Sequence, residues 1–201
     1  GLGDVEALDD EALRRAAGSA ARATAGVGTI ATTLTDFGVA AAVEGLILGG
    51  YTYRGIRSTD LKDEQQPATF IVVADKSASE EFEAARIVAE SVLISRDLVN
   101  TPANELYPES YAAFLTGQAK EAGLEVEVLD EKQLEKQGFG GILAVGKGSA
   151  RPPRLVRLSW NPKKAKKHVA LVGKGITFDT GGISLKPGNG MWDMISDLSL
   201  I

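Results

Sequence analysis

The chain has no cysteine among its 201 residues and only one histidine. The first absence excludes disulfides, thiolate metal sites and a cysteine nucleophile. The second excludes a multi-histidine metal site and any Ser-His-Asp arrangement that does not use His168, which reads instead as a residue at a strand edge. No apolar run approaches the length of a membrane span, and no secretory signal is visible. A net charge of −5 argues against nucleic acid as a partner, because phosphate contacts need a basic face. These features point to a cytoplasmic protein with no membrane partner. A composition of 44% hydrophobic and 24% charged residues is ordinary for a globular protein.

Against that plain background one segment stands out. Residues 172–197 read VGKGITFDTGGISLKPGNGMWDMISD and set Lys174, Asp179, Lys186 and Asp197 among six glycines. The preceding run, residues 168–172 (HVALV), is apolar after its first residue and reads as a strand buried on both faces. Lys174 then leaves the carboxyl end of that strand, where ligands bind in open α/β sheets, and the glycines let the backbone approach a ligand closely. Asp179 and Asp197 offer hard oxygen donors to a divalent cation. A lysine ligates only as the neutral amine, so the ion must displace a proton whose ordinary pKa is about 10.4. Taken singly, the lysine reads as a solvated charge and Asp-Thr-Gly-Gly as a turn; it is their conjunction that points to metal chemistry.

The segment resembles the metal-ligand region of the leucyl aminopeptidase family, the cytosolic two-metal exopeptidases, whose pattern is close to V-G-K-G-x-T-F-D-[ST]-G-G-x-x-x-K-P…M-x-x-D-M-G-G-A. A second stretch, residues 96–108 (RDLVNTPANELYP), resembles that family's entry to its catalytic domain. The resemblance implies that Lys174 and Asp197 are ligands of one metal ion, that Asp179 bridges two ions, and that Lys186 is a catalytic lysine and not a ligand. It further implies two divalent ions, Mn or Zn, with bicarbonate as a possible general base, peptide substrates cleaved after the N-terminal residue with a leucine-like preference, and a homo-oligomer, a hexamer in the family. Two cations can hold and acidify a water and polarise the scissile carbonyl. A charged Lys186 would then stabilise the oxyanion.

The pattern is departed from after Asp197. There the chain reads Leu198-Ser199-Leu200-Ile201 in place of Met-Gly-Gly-Ala. The family's later Asn-Thr-Asp-Ala-Glu-Gly-Arg motif, which supplies two more ligands and the bicarbonate-binding arginine, is absent from these residues. The chain also starts Gly1-Leu2-Gly3, without an initiator methionine. The expectation is a fragment truncated at both ends and inactive by itself, since ligand count governs whether such a site forms. The rival expectation is a non-catalytic structural or binding protein that keeps the fold.

The expected architecture is the remainder of an N-terminal α/β domain over residues 1–78, a connecting helix over 79–96, and the first part of an α/β/α catalytic domain with a mixed sheet over 97–201. In the first part an alanine-rich helix runs from Asp10 to about Ala25, closed by Gly26 and Gly28, and a strand covers residues 30–34. Asp36 caps a second helix ending at Gly49 and Gly50, residues 54–66 form a hairpin or loop, and residues 68–73 a strand. Ser77 with Glu80 reads as a capping box for the connecting helix. Beyond it, Pro108 opens a helix that Gly123 closes, residues 125–129 alternate as a strand, and Asp130 with Gln133 caps a short helix ending at Gly138. Strands follow at residues 142–145, 155–160 and 168–172, so that strands and helices alternate as in an α/β sheet. Residues 141–147 (GILAVGK) nearly complete a phosphate-binding loop, but Gly148 stands where Ser or Thr should hold magnesium, which makes a nucleotide site the weaker alternative. Lys163, Lys164, Lys166 and Lys167 follow Asn161-Pro162 and read as a solvated hairpin tip.

Overall fold

The computed structural model describes residues 2–56 and 67–200, with the side chains of Val5 and of residues 196–200 outside the description. It is a mixed α/β structure that divides into two compact units, Gly1–Asp97 and Leu98–Ile201.

In the first unit, α1 (Asp10–Ala23) starts where the Asp9 carboxylate accepts the Ala12 N–H at 2.7 Å. It ends ahead of Gly26 and Gly28, both at positive φ. Strand β1 (Thr29–Thr32) pairs in parallel with β2 (Thr69–Val72), and α2 (Val39–Gly49) lies between them in the chain. Parallel neighbours need such a crossover, because a tight turn cannot reverse the chain twice. One face of the strand pair, through Phe70 and Val72, packs on Ala17, Ala21 and Leu46.

The helices α1 and α2 approach so closely that their contact admits only glycine at several positions. A Cβ on Gly45 would lie 2.7 Å from the Ala17 Cβ and would also meet the Arg14 carbonyl; one on Gly49 would meet the Gly18 backbone. Beside this seam the Arg14 guanidinium donates to Glu44 at 2.7 Å. Two details differ from expectation. Asp36 lies inside a 3-10 turn, Leu34–Phe37, so that Gly38 rather than Asp36 precedes α2. Ser77 lies in another, Lys76–Ala78, that leads into α3 (Ser79–Asn100). In both cases a tight turn takes up the residues that a side-chain cap needed. Residues 57–66 of the expected hairpin lie outside the described residues.

In the second unit α4 (Pro108–Glu121) is opened by the Ser110 hydroxyl, which accepts the Tyr107 N–H at 3.0 Å and donates to the Glu105 carbonyl at 2.7 Å. Gly123 at φ 71° lets the chain turn into β3 (Glu125–Leu129), which pairs antiparallel with β4 (Leu155–Ser159). Helix α5 (Glu131–Lys136) carries the reciprocal Asp130–Gln133 cap and buries Leu134 completely. The Arg151 guanidinium lies 3.7 Å above the Tyr107 ring and donates to the Asn104 carbonyl.

Two expected strands are not strands. Residues 142–145 belong to α6 (Gly140–Gly146), which packs on α5. A four-residue apolar run is too short for its periodicity to separate helix from strand, and the neighbouring helix decides it. The phosphate-binding reading fails with it, because Gly141 and Gly146 lie inside a helix where that motif needs a loop before one. Residues 168–172 are outside any ladder, with Leu171 95% and Val172 96% exposed. A strand exists only through its neighbours' N–H and C=O groups, and no described strand pairs with this run.

Two predictions follow from packing. Gly49→Ala, which in an isolated helix would gain about 1 kcal/mol, is expected to lower stability by about 1–3 kcal/mol through overpacking, read as a lower urea midpoint. The Tyr111 hydroxyl is buried without a hydrogen-bond partner among the described residues, and burial raises its pKa above 10.0. A raised pKa stabilises below the ordinary value and that contribution is lost as pH climbs through the folded one. Tyr111→Phe is therefore expected to equal or exceed wild type at neutral pH by up to about 1 kcal/mol and to escape the alkaline loss, as melts between pH 8 and 11 would show.

Candidate active site

The residues 173–194 form a chain of turns held by backbone bonds and a few side chains. Gly181 is its pivot, at φ 97°. A Cβ there would meet the Ser184 carbonyl and come within 3.1 Å of the Lys186 Cγ, so both the conformation and the space demand glycine. Across this turn the Lys186 N–H donates to the Thr180 carbonyl at 2.9 Å, and the Gly181 N–H donates to Asp179 Oδ1 at 2.8 Å. The turn brings residues seven apart into contact: Lys186 Nζ lies 2.9 Å from Asp179 Oδ2. The same ammonium donates to the Met194 thioether at 3.1 Å.

The electrostatics follow from these contacts. The Lys186 ammonium and then the Gly181 N–H hold the Asp179 carboxyl below the usual carboxylate range, against a smaller opposing effect of burial. The charge of Lys174 acts in the same direction. Asp179 is thus an anion at neutral pH, half-exposed and able to accept a cation. Lys174 is exposed on the loop after residue 172. Asp197 lies on a 3-10 helix, Met191–Leu200, and its side chain is outside the described residues.

The structure therefore brings together Asp179 and Lys186, and it reveals Met194 as a third member that spacing alone did not single out. A methionine three residues before Asp197 was visible in the sequence, but its contact with an amine depends on the turn at Gly181. In kind, the donors fit a divalent cation, since an ionised carboxylate and a lysine amine are both available on one loop. Among the described residues, no group of three or more His, Asp or Glu side chains is close enough to complete such a site.

The arrangement is a carboxylate and an amine paired on one loop. The chain belongs to the cytosol aminopeptidase family: the family model for the catalytic domain matches residues 93–199 and that for the N-terminal domain residues 1–60. It is 64% identical to the probable cytosol aminopeptidase of Corynebacterium diphtheriae over 98% of this chain and 40% of that protein. Among solved structures it resembles the bottromycin maturation enzyme BotP in complex with Mn, at 33% identity and a TM-score of 0.87, covering 99% of this chain and 43% of the other. It also resembles the cytosol aminopeptidase of Coxiella burnetii, at 29% identity and a TM-score of 0.70, over 98% and 40%. The chain spans about two fifths of the length of the curated relatives it matches. The family is metal-dependent.

Removing Lys186 tests the local electrostatics. Lys186→Met is expected to raise the Asp179 pKa toward 3.8, while wild type titrates lower, as carboxyl carbon shifts in an acid NMR titration would report. Because the folded value is depressed, the pair's contribution is present above the ordinary pKa and is lost as pH falls through the folded one.

Proposed function

We propose that the whole protein is an aminopeptidase that hydrolyses the N-terminal residue of peptides, with a preference for leucine-like side chains, and that residues 174–197 form part of its metal centre. The observation that carries this is the Asp179–Lys186 contact at 2.9 Å on a glycine-pivoted loop, in a chain of this family. Lys174, Asp179 and Asp197 would hold the divalent ions, Mn or Zn, with Asp179 shared between them. When bound, two such ions supply Lewis-acid polarisation of a carbonyl and a water acidic enough to attack at neutral pH.

The chain's own residues do the rest. An aspartate is already ionised at neutral pH, and Lys186 and the Gly181 N–H lower the Asp179 pKa further, so no proton need leave it before a cation binds. Lys186, partly shielded, is placed to donate a hydrogen bond to an oxygen on which negative charge develops. The free amino group of a peptide, bound as a further donor, would restrict cleavage to the first residue. Helix α3 is read as the connector between an N-terminal domain and the catalytic domain. Bicarbonate as a base, assembly into a hexamer and a cytoplasmic location belong to the same reading. So does inactivity of the 201-residue chain alone, since three protein donors are too few for two ions.

The test is hydrolysis of a leucine anilide by the whole protein with added Mn²⁺. Chelator is expected to abolish the activity, and Lys186→Ala to lower kcat by about 10²–10³ with a smaller change in KM, the loss typical of one oxyanion donor. Retention of full activity in the chelated protein would refute the metal reading.

A further inference from the structure

We propose that the Lys186 ammonium is a built-in competitor for the cation at Asp179, occupying Oδ2 until a divalent ion displaces it; this rests on the reading of Asp179 as a metal ligand. The two oxygens of Asp179 are not equivalent. Oδ1 accepts the Gly181 N–H, a backbone donor fixed by the turn, whereas Oδ2 faces a side chain that can move. The amine's other contact, the Met194 thioether, is a weak acceptor that costs little to leave. The pair is only partly shielded, with the two side chains 34% and 47% exposed, so the ammonium holds Oδ2 without being locked to it.

A second cation near the same carboxylate meets the ammonium's charge. For a doubly charged ion about 4 Å away in a watery setting, that repulsion weakens binding by about thirtyfold. The consequence is an ordered exchange. An ion binds Asp179 at the expense of the Lys186 contact, and the amine is freed toward substrate only in the metal-loaded protein. Lys186 then serves twice, as a placeholder on Asp179 Oδ2 and as a donor released when the centre is complete.

Calorimetric titration of the whole protein with Mn²⁺ alone tests this without reference to catalysis. Lys186→Gln, which keeps a hydrogen-bond donor and drops the charge, is expected to bind about thirtyfold more tightly than wild type. Lys186→Arg, which keeps the charge, is expected to bind as wild type does, and Asp179→Asn to lose binding. Equal affinity for wild type and Lys186→Gln overturns the competition while leaving Asp179 as a ligand. Absence of binding in wild type and in Lys186→Gln overturns both the competition and the metal reading. As a measurement on the unaltered chain, Zn²⁺ is expected to move the Lys186 Cε resonance toward that of a free lysine. A Zn²⁺-dependent shift at Asp179 with none at Lys186 would overturn the proposal even if the variants did not fold.

Discussion

The reversal of the chain at Gly181 is the constraint on which the candidate site depends. A positive φ there, and the absence of a Cβ that would strike the Ser184 carbonyl, allow the Lys186 N–H to close onto Thr180. Everything chemical in the segment follows from that closure: the carboxylate and the amine meet, the thioether of Met194 comes within reach, and the acidity of Asp179 increases. With any residue larger than glycine at this point the same side chains would be present in the sequence and absent as a group.

A second close approach organises the first unit. Gly18, Gly45 and Gly49 let two helices meet backbone to backbone, and the small residues Ala17, Ala21, Ala41 and Ala42 fill the seam. Large side chains are scarce there: among the described residues of this unit, the buried leucines are Leu13 and Leu46. Stability in this unit therefore rests on many short contacts between backbones and methyl groups, with the part-buried Arg14–Glu44 pair at its side. Such a seam tolerates little change in volume, whereas the loop that carries Asp179 is open and adaptable. The contrast matches the general division between rigid scaffold and functional loop.

The elements that were legible in the sequence were those whose signals are local. The Asp130–Gln133 cap, Pro108 at the start of α4, glycines at positive φ after helices, and the alternation of Glu125–Leu129 each depend on residues a few positions apart. The two apolar runs at residues 142–145 and 168–172 look like strands by composition, and what they become depends on residues elsewhere in the chain. The first found a helix to pack against. The second, rich in β-branched and aliphatic side chains, has no strand beside it among the described residues, and its apolar side chains stand in solvent.

For the site, the sequence alone determined which residues could act and what kind of chemistry they suited. Lys174, Asp179, Lys186 and Asp197 among glycines are a matter of residue type and spacing, and the family pattern follows from the same letters. Only the tertiary structure decided that Lys186 meets Asp179 through Oδ2 while the backbone holds Oδ1, and that Met194 joins them. Contacts between residues seven and eight apart depend on how a turn directs the chain, and charge is stabilised by the distance between atoms, which a sequence of residue types does not contain.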